Sequence, residues 1–136
     1  MLLNRNLAEV LRNRLKTSPA VAILGPRQVG KTTLAKELDN NYIYLDLENP
    51  RDVAKLHDAY TFLESLQDST VIIDEVQLLP ELFSIIRPLI DAKRIPGRFI
   101  LLGSASPELV KGVSETLAGR ISYNELTPVG LTELPL

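Results

Sequence analysis

The sequence predicts a parallel β-sheet with helices on both faces, an expectation that rests on three observations. Short apolar runs such as Ala20-Val21-Ala22-Ile23-Leu24 recur along the chain, and a strand with no polar side is one covered from both directions. Stretches with helical spacing of their apolar residues separate those runs, the alternation that builds layered α/β domains. A glycine-containing turn joins the first apolar run to the helical pattern after it.

From Asn4 to Lys16, Leu7, Val10, Leu11 and Leu15 fall on one side of a helix and charges on the other, until Thr17-Ser18-Pro19 breaks the pattern. Ala20–Leu24 is the first strand, and a helix is expected from about Lys31 to Asp39. The second strand is Tyr42–Leu47. Asn49-Pro50-Arg51-Asp52 then reads as a helix start, with Asn as N-cap, Pro in the first helical position and Asp in the first turn. One helical stretch to about Gln67 leads to a third strand, Thr70–Asp74. Pro80 opens a further helix with Leu82, Phe83, Ile86, Leu89 and Ile90 on one stripe, and Pro88 within it predicts a kink. The fourth strand is Arg98–Ser104. Ser106-Pro107-Glu108 caps a helix towards Leu117, and Ile121–Leu126 is a fifth strand.

With 136 residues the chain reads as one domain, spanning 1–136, with enough length to bury a core. There is no cysteine, which excludes disulfides, iron–sulfur clusters, thiolate zinc sites and cysteine nucleophiles. The single histidine, His57, excludes a multi-histidine metal site. Formal net charge is −2, so the chain lacks the general basic footprint of a nucleic-acid binder. The longest stretch without a charged residue, Thr17–Pro26, is about half of what a membrane span needs. These features predict a soluble, cytoplasmic protein without a membrane partner. The chain stops about ten residues after the fifth strand, which suggests that the natural polypeptide continues.

Gly25-Pro26-Arg27-Gln28-Val29-Gly30-Lys31-Thr32 fits G-x-x-x-x-G-K-[ST] without a mismatch, between a strand and a helix. The glycines let the backbone curl so that successive N–H groups face an anion. Lys31 opens the helix, where phosphate oxygens meet its ammonium and the positive end of the helix dipole. The Thr32 hydroxyl is placed to coordinate Mg²⁺. With Thr33 added, Gly25–Thr33 supply the candidate nucleotide-binding residues.

An apolar strand ending in Asp74-Glu75 complements that loop. Such an Asp holds Mg²⁺, so Thr32 and Asp74 are the candidate metal ligands. Glu75 is the candidate base, orienting or deprotonating an attacking water. Ser104 becomes a polar sensor of phosphate or water if the fourth strand lies between the loop strand and the Asp74 strand. Lys31, Glu75, Ser104 and Arg120 form the candidate catalytic set, Arg120 through a neighbouring subunit's γ-phosphate, with a salt-bridged surface arginine as its alternative. Asp46 reads as local structure, with a contact to the metal's surroundings as its alternative.

Four segments, GPRQVGKTTL, VIIDEVQLLPELFSIIRPLID, RFILLGSASPEL and SETLAGRISYNELTPVGLTEL, together resemble the AAA-type P-loop ATPase domain of a prokaryotic ATP-binding protein family. The resemblance covers essentially the whole chain. It implies a three-layer α/β/α P-loop NTPase fold whose five parallel strands run in the order 5-1-4-3-2, with ATP and Mg²⁺ at their C-terminal edge. It also implies Lys31 and Thr32 on phosphate and metal, Asp74 on metal, Glu75 as base, Ser104 as sensor and Arg120 as an arginine finger between homo-oligomer subunits. Members usually continue into a helical lid and a separate C-terminal domain, neither of which is found here.

The leading function is an ATP-binding, ATP-hydrolysing core that couples nucleotide state to shape change in a partner or attached domain. Its rivals are a non-catalytic nucleotide-binding module and, less well supported, a P-loop small-molecule phosphotransferase. A GTPase is disfavoured because neither N-K-x-D nor D-x-x-G occurs. Family analogy leaves DNA open as a partner, but charge gives it no support.

Overall fold

A computed structural model describes residues 5–27 and 30–134. The chain begins with helix α1 (Arg5–Leu15), followed by β1 (Ala20–Leu24), α2 (Lys31–Glu37) and β2 (Tyr42–Asp46). Helices α3 (Pro50–Lys55) and α4 (Ala59–Glu64) precede β3 (Thr70–Asp74), which runs into a single 3₁₀ turn, Val76–Leu78. Then come α5 (Leu82–Ala92), β4 (Phe99–Gly103), α6 (Pro107–Leu117), β5 (Ile121–Thr127) and β6 (Gly130–Glu133).

Every residue of β1, β3 and β4 is buried, which is why these strands read as largely apolar runs, β3 with Thr70 and Asp74 at its two ends. Alternate side chains serve opposite faces. Val21, Ile23, Ile72, Ile100 and Leu102 pack with Ala8 and Leu11 of α1 and Leu34, Ala35 and Leu38, the last just beyond α2. Ala20, Ala22, Leu24, Val71, Ile73, Phe99 and Leu101 meet the apolar stripes of α4, α5 and α6, including Leu63, Phe83, Ile86, Val113 and Leu117.

The sheet has six strands in the order β2-β3-β4-β1-β5-β6, which corrects the five-stranded expectation. The expected parallel set 5-1-4-3-2 is present, and β6 extends it as an antiparallel edge strand. Thr127 pairs with Gly130 across a two-residue turn, Pro128-Val129, and the Leu134 N–H donates to the Tyr123 carbonyl beyond it. The edge strand was hard to read because it is only four residues long and half of them are exposed.

Asn49 caps α3 by accepting from the Arg51 N–H at 3.0 Å, and Ser106 caps α6 by accepting from Leu109 at 3.3 Å. The expected single helix to Gln67 is two: Leu56-His57 ends the first, and Asp58 starts the second by accepting from the Thr61 N–H. Helix α2 stops short of Asp39. Pro88 lies inside α5, which continues as helix on either side of it.

The helix after β1 covers one face, whereas the helix after the adjacent β4 covers the other. Divergent connections from neighbouring parallel strands open a crevice at their carboxyl ends, where α/β sheets place ligands.

Helix α1 is integral to the core, since Leu11 is fully buried against the sheet. Leu11→Ala is expected to cost about 2–5 kcal/mol of stability, read from denaturant unfolding followed by circular dichroism. A cost below ~1 kcal/mol would mean that α1 is not packed as described.

Candidate nucleotide site

The phosphate loop leaves the carboxyl end of β1 between two neighbours. The Gly25 N–H donates to the Gly103 carbonyl at 3.0 Å, and a Cβ at Gly25 would run into the Leu126 carbonyl oxygen. Gly30 caps α2 with φ 84 and ψ 27, left-handed geometry that glycine adopts without a steric cost. Gln28 and Val29, two of the candidate binding residues, lie outside the described residues.

Lys31 is buried, its Nζ donating to the carbonyls of Gly25 at 2.6 Å and Pro26 at 2.9 Å. The ammonium is thus folded into the loop's own curl. Burial lowers its pKa, against the opposing pull of the Glu75 and Asp74 charges. Arg27 points elsewhere: its Nη2 and Nη1 donate to Glu48 at 2.8 and 3.3 Å. Thr33 is exposed on the first turn of α2.

Thr32 follows Lys31 and faces the third strand. Its hydroxyl donates to Asp74 Oδ2 at 2.7 Å, joining two candidate ligands that are 42 residues apart in sequence. The same oxygen accepts from the Tyr44 hydroxyl at 2.5 Å, and Asp74 Oδ1 accepts from the Glu75 N–H at 2.9 Å. Asp74 is therefore buried but well partnered.

Tyr44 escaped the sequence reading. What finds it is register, which only the folded sheet supplies: β2 pairs in parallel with β3 so that Asp46 lies opposite Asp74, which puts Tyr44 on the Asp74 face two residues earlier. Burial, then the Asp74 carboxylate, push the Tyr44 phenol well above its ordinary value. The Lys36 ammonium sits over the ring, 4.1 Å from its centroid. Asp46 is occupied locally: its Oδ1 accepts from the Glu48 N–H and its own N–H donates to Asp52, both at 2.9 Å.

Glu75 has φ 58 and ψ 46, making it the one non-glycine residue with positive φ among the described residues. Backbone held in that region concentrates at functional sites. The carboxylate accepts from Gln77 Nε2 at 2.6 Å and stands 4.0 Å from Arg27 Nη2.

Ser104 follows β4, which does lie between β1 and β3, so the condition attached to its expected role is met. It is half-buried. Arg120 is different. It immediately precedes β5, whose first residue pairs with Ala20 at the start of β1, so it lies at the sheet edge opposite the loop. There it forms a two-pronged ion pair with Asp91, Nε to Oδ1 at 2.8 Å and Nη2 to Oδ2 at 3.0 Å, and Nη1 donates to the Ala118 carbonyl. The structure thus brings together Lys31, Thr32, Asp74, Glu75 and Ser104, and sets Arg120 apart.

A glycine-turned loop with a buried lysine, its threonine bonded to an aspartate at the end of a parallel strand, defines a P-loop NTPase domain. The chain belongs to the AAA domain family, whose model matches residues 17–134. Two curated relatives are each 44% identical over 130 residues: Uncharacterized protein Rv2008c of Mycobacterium tuberculosis and Uncharacterized protein Mb2031c of Mycobacterium bovis. Each match covers 94% of this chain but 29% of the relative, so the chain spans less than a third of their length. Among solved structures, the Walker-type ATPase PABY2304 of Pyrococcus abyssi matches with TM-score 0.58 and 18% identity, over 86% of this chain and 48% of its own. The P-loop NTPase domain of the sigma-54 transport activator from Escherichia coli gives TM-score 0.55 and 21% identity, over 79% and 91%. At these identities the likeness shows the fold. Among the described residues no helix is long and apolar enough to cross a membrane.

The bond to Arg120 holds the Asp91 carboxyl below its ordinary value, with smaller help from Arg87 and Arg94. This contribution to stability is present above the ordinary carboxylate range and is lost as pH falls through the folded value. Arg120→Ala is expected to raise the Asp91 carboxyl towards its ordinary value in an NMR titration. An unmoved titration would show that the pair does not form in solution.

Proposed function

We propose that this domain binds ATP with Mg²⁺ and hydrolyses the γ-phosphate, driving shape change in an attached or partner domain. The observation that carries the reading is the Thr32–Asp74 hydrogen bond at 2.7 Å, which sets two hard oxygen donors side by side next to a buried lysine. That donor set suits a magnesium ion, which takes one or two protein oxygens and completes its shell with phosphate and water. Thr32 and Asp74 would hold the ion, which when bound neutralises charge on the β- and γ-phosphates.

The remaining work falls to the chain's own groups. Lys31 exchanges the Gly25 and Pro26 carbonyls for phosphate oxygens, giving a desolvated ammonium the full anionic partner it lacks. Asp74 would offer the ion the oxygen that the Thr32 hydroxyl holds here, and the Tyr44 hydroxyl, which donates to that same Oδ2, orients the carboxylate. Glu75 orients the attacking water and takes its proton. Ser104, at the end of the strand between the two motifs, meets phosphate or water from the sheet side. Water attack is favoured over transfer to a second substrate by this extra carboxylate beside Asp74.

Arg120 would serve a neighbouring subunit's nucleotide, since its place at the opposite sheet edge keeps it from its own. Doing so requires it to leave Asp91. The greater length of the curated relatives fits an effector region outside this domain.

Nucleotide titration with a fluorescent ATP analogue tests the site. Lys31→Ala removes a charge-assisted contact worth roughly 1.5–3 kcal/mol, so affinity is expected to fall about ten-fold or more. Unchanged affinity in a folded variant would remove Lys31 from the site.

A mixing experiment tests the shared-site arrangement. Arg120→Ala keeps a whole nucleotide site and Lys31→Ala keeps its arginine, so the mixture is expected to hydrolyse ATP faster than either alone. An arginine supplied in trans is worth ~10³–10⁵ in rate in related chemistry. No recovery, with wild-type rates strictly proportional to concentration, would leave Arg120 as the structural partner of Asp91.

A further inference from the structure

We propose that Gln77 is a positioning residue for Glu75, its side-chain amide fixing the carboxylate that serves as base. The inference rests on the hydrolytic reading above and deepens it. Gln77 lies in the 3₁₀ turn two residues after Glu75, and its Nε2 donates to Glu75 Oε2 at 2.6 Å. Glu75 needs such a tether. Its left-handed backbone turns it out of the line of β3, so neither strand pairing nor a helix sets the direction of its side chain. The nearest cation does not substitute: Arg27 Nη2 is 4.0 Å from the same oxygen and is committed to Glu48.

The other end of the amide points to a role beyond packing. Gln77 Oε1 is buried and has no hydrogen-bond partner. A Cβ added at Gly103 would lie 2.5 Å from it, so the amide occupies space that the bare backbone at the end of β4 leaves open. Reversing the amide would aim Oε1 at the Glu75 carboxylate, two acceptors facing one another. The carboxylate therefore fixes the amide's orientation and leaves the carbonyl orphaned. An unsatisfied buried carbonyl costs folding free energy that an apolar side chain of the same length would avoid. What the glutamine supplies in return is the donor on Glu75.

The test compares wild type with Gln77→Met, which keeps length but loses the donor, and Gln77→Glu, which puts a like charge against Glu75. Affinities for ADP and for ADP·aluminium fluoride are measured in Mg²⁺ buffer, with single-turnover hydrolysis and the thermal midpoint alongside. In Gln77→Met, ADP affinity is expected to stay at the wild-type value and the thermal midpoint to stay there or rise, since the orphaned carbonyl is gone. The preference for the transition-state analogue over ADP should fall about ten-fold, and turnover with it, a fraction of the ~10²–10⁴ a positioned base contributes. Gln77→Glu should fall further, and Gln77→Leu, which also lacks the donor and adds no charge, takes the place of the methionine variant if that does not fold. A packing role predicts two near-wild-type isosteres, and that result overturns the inference. Glu75→Gln separates the two layers. If it abolishes turnover while Gln77→Met retains it, only the positioning role fails. If Glu75→Gln turns over normally, or wild type prefers the analogue no more than ADP, the hydrolytic reading fails and this inference with it.

Discussion

The Asp74 carboxylate is the constraint on which the site depends. Three groups converge on it from three elements: the Thr32 hydroxyl from α2, the Tyr44 phenol from β2 and the Glu75 N–H from the turn after β3. A buried carboxylate is costly to desolvate unless its lone pairs are satisfied, and each hydrogen bond to a charged group returns about 1.5–3 kcal/mol. Asp74 therefore locks the loop helix to the end of β3 before any ligand arrives. Removing the carboxylate would leave Thr32 and Tyr44 without their shared acceptor, so its loss would reach beyond the metal.

Lys31 and Asp74 sit close to one another without pairing directly. Lys31 bonds to loop carbonyls and Asp74 to hydroxyls, so each charge is held by neutral dipoles. Dipoles are weaker partners than an opposite charge, and they can be exchanged for phosphate and metal at modest cost. A direct Lys31–Asp74 ion pair would have to be broken before a nucleotide could bind. The arrangement suits a site that must open and reload.

The sheet separates two kinds of chemistry. The loop, Asp74, Glu75 and Ser104 gather at the carboxyl ends of β1, β3 and β4, where α2 and α6 depart to opposite faces. Arg120 and its Asp91 partner occupy the other edge. A cleft of about 390 Å³ also opens on that far side, lined in part by Arg12, Lys16, Asp39 and Thr70, away from Lys31 and Asp74. The family match spans both edges, from residue 17 to residue 134.

The sequence alone determined whatever depends on near neighbours along the chain. Largely apolar runs marked β1, β3 and β4 because both of their faces are covered. Asn49 and Ser106 announced their helices because a cap bonds within three residues. The loop and Asp74-Glu75 were legible because their chemistry is written as fixed spacings. Register and sheet order were decided only by the tertiary structure. They put Tyr44 on Asp74 across 30 residues, seat the Gln77 amide against Gly103, tie Arg120 to Asp91 across 29 residues and add the short β6 beside β5. Periodicity says which side chains share a face of one element. It does not say which face of which other element they will meet, because that is set by packing the whole core at once.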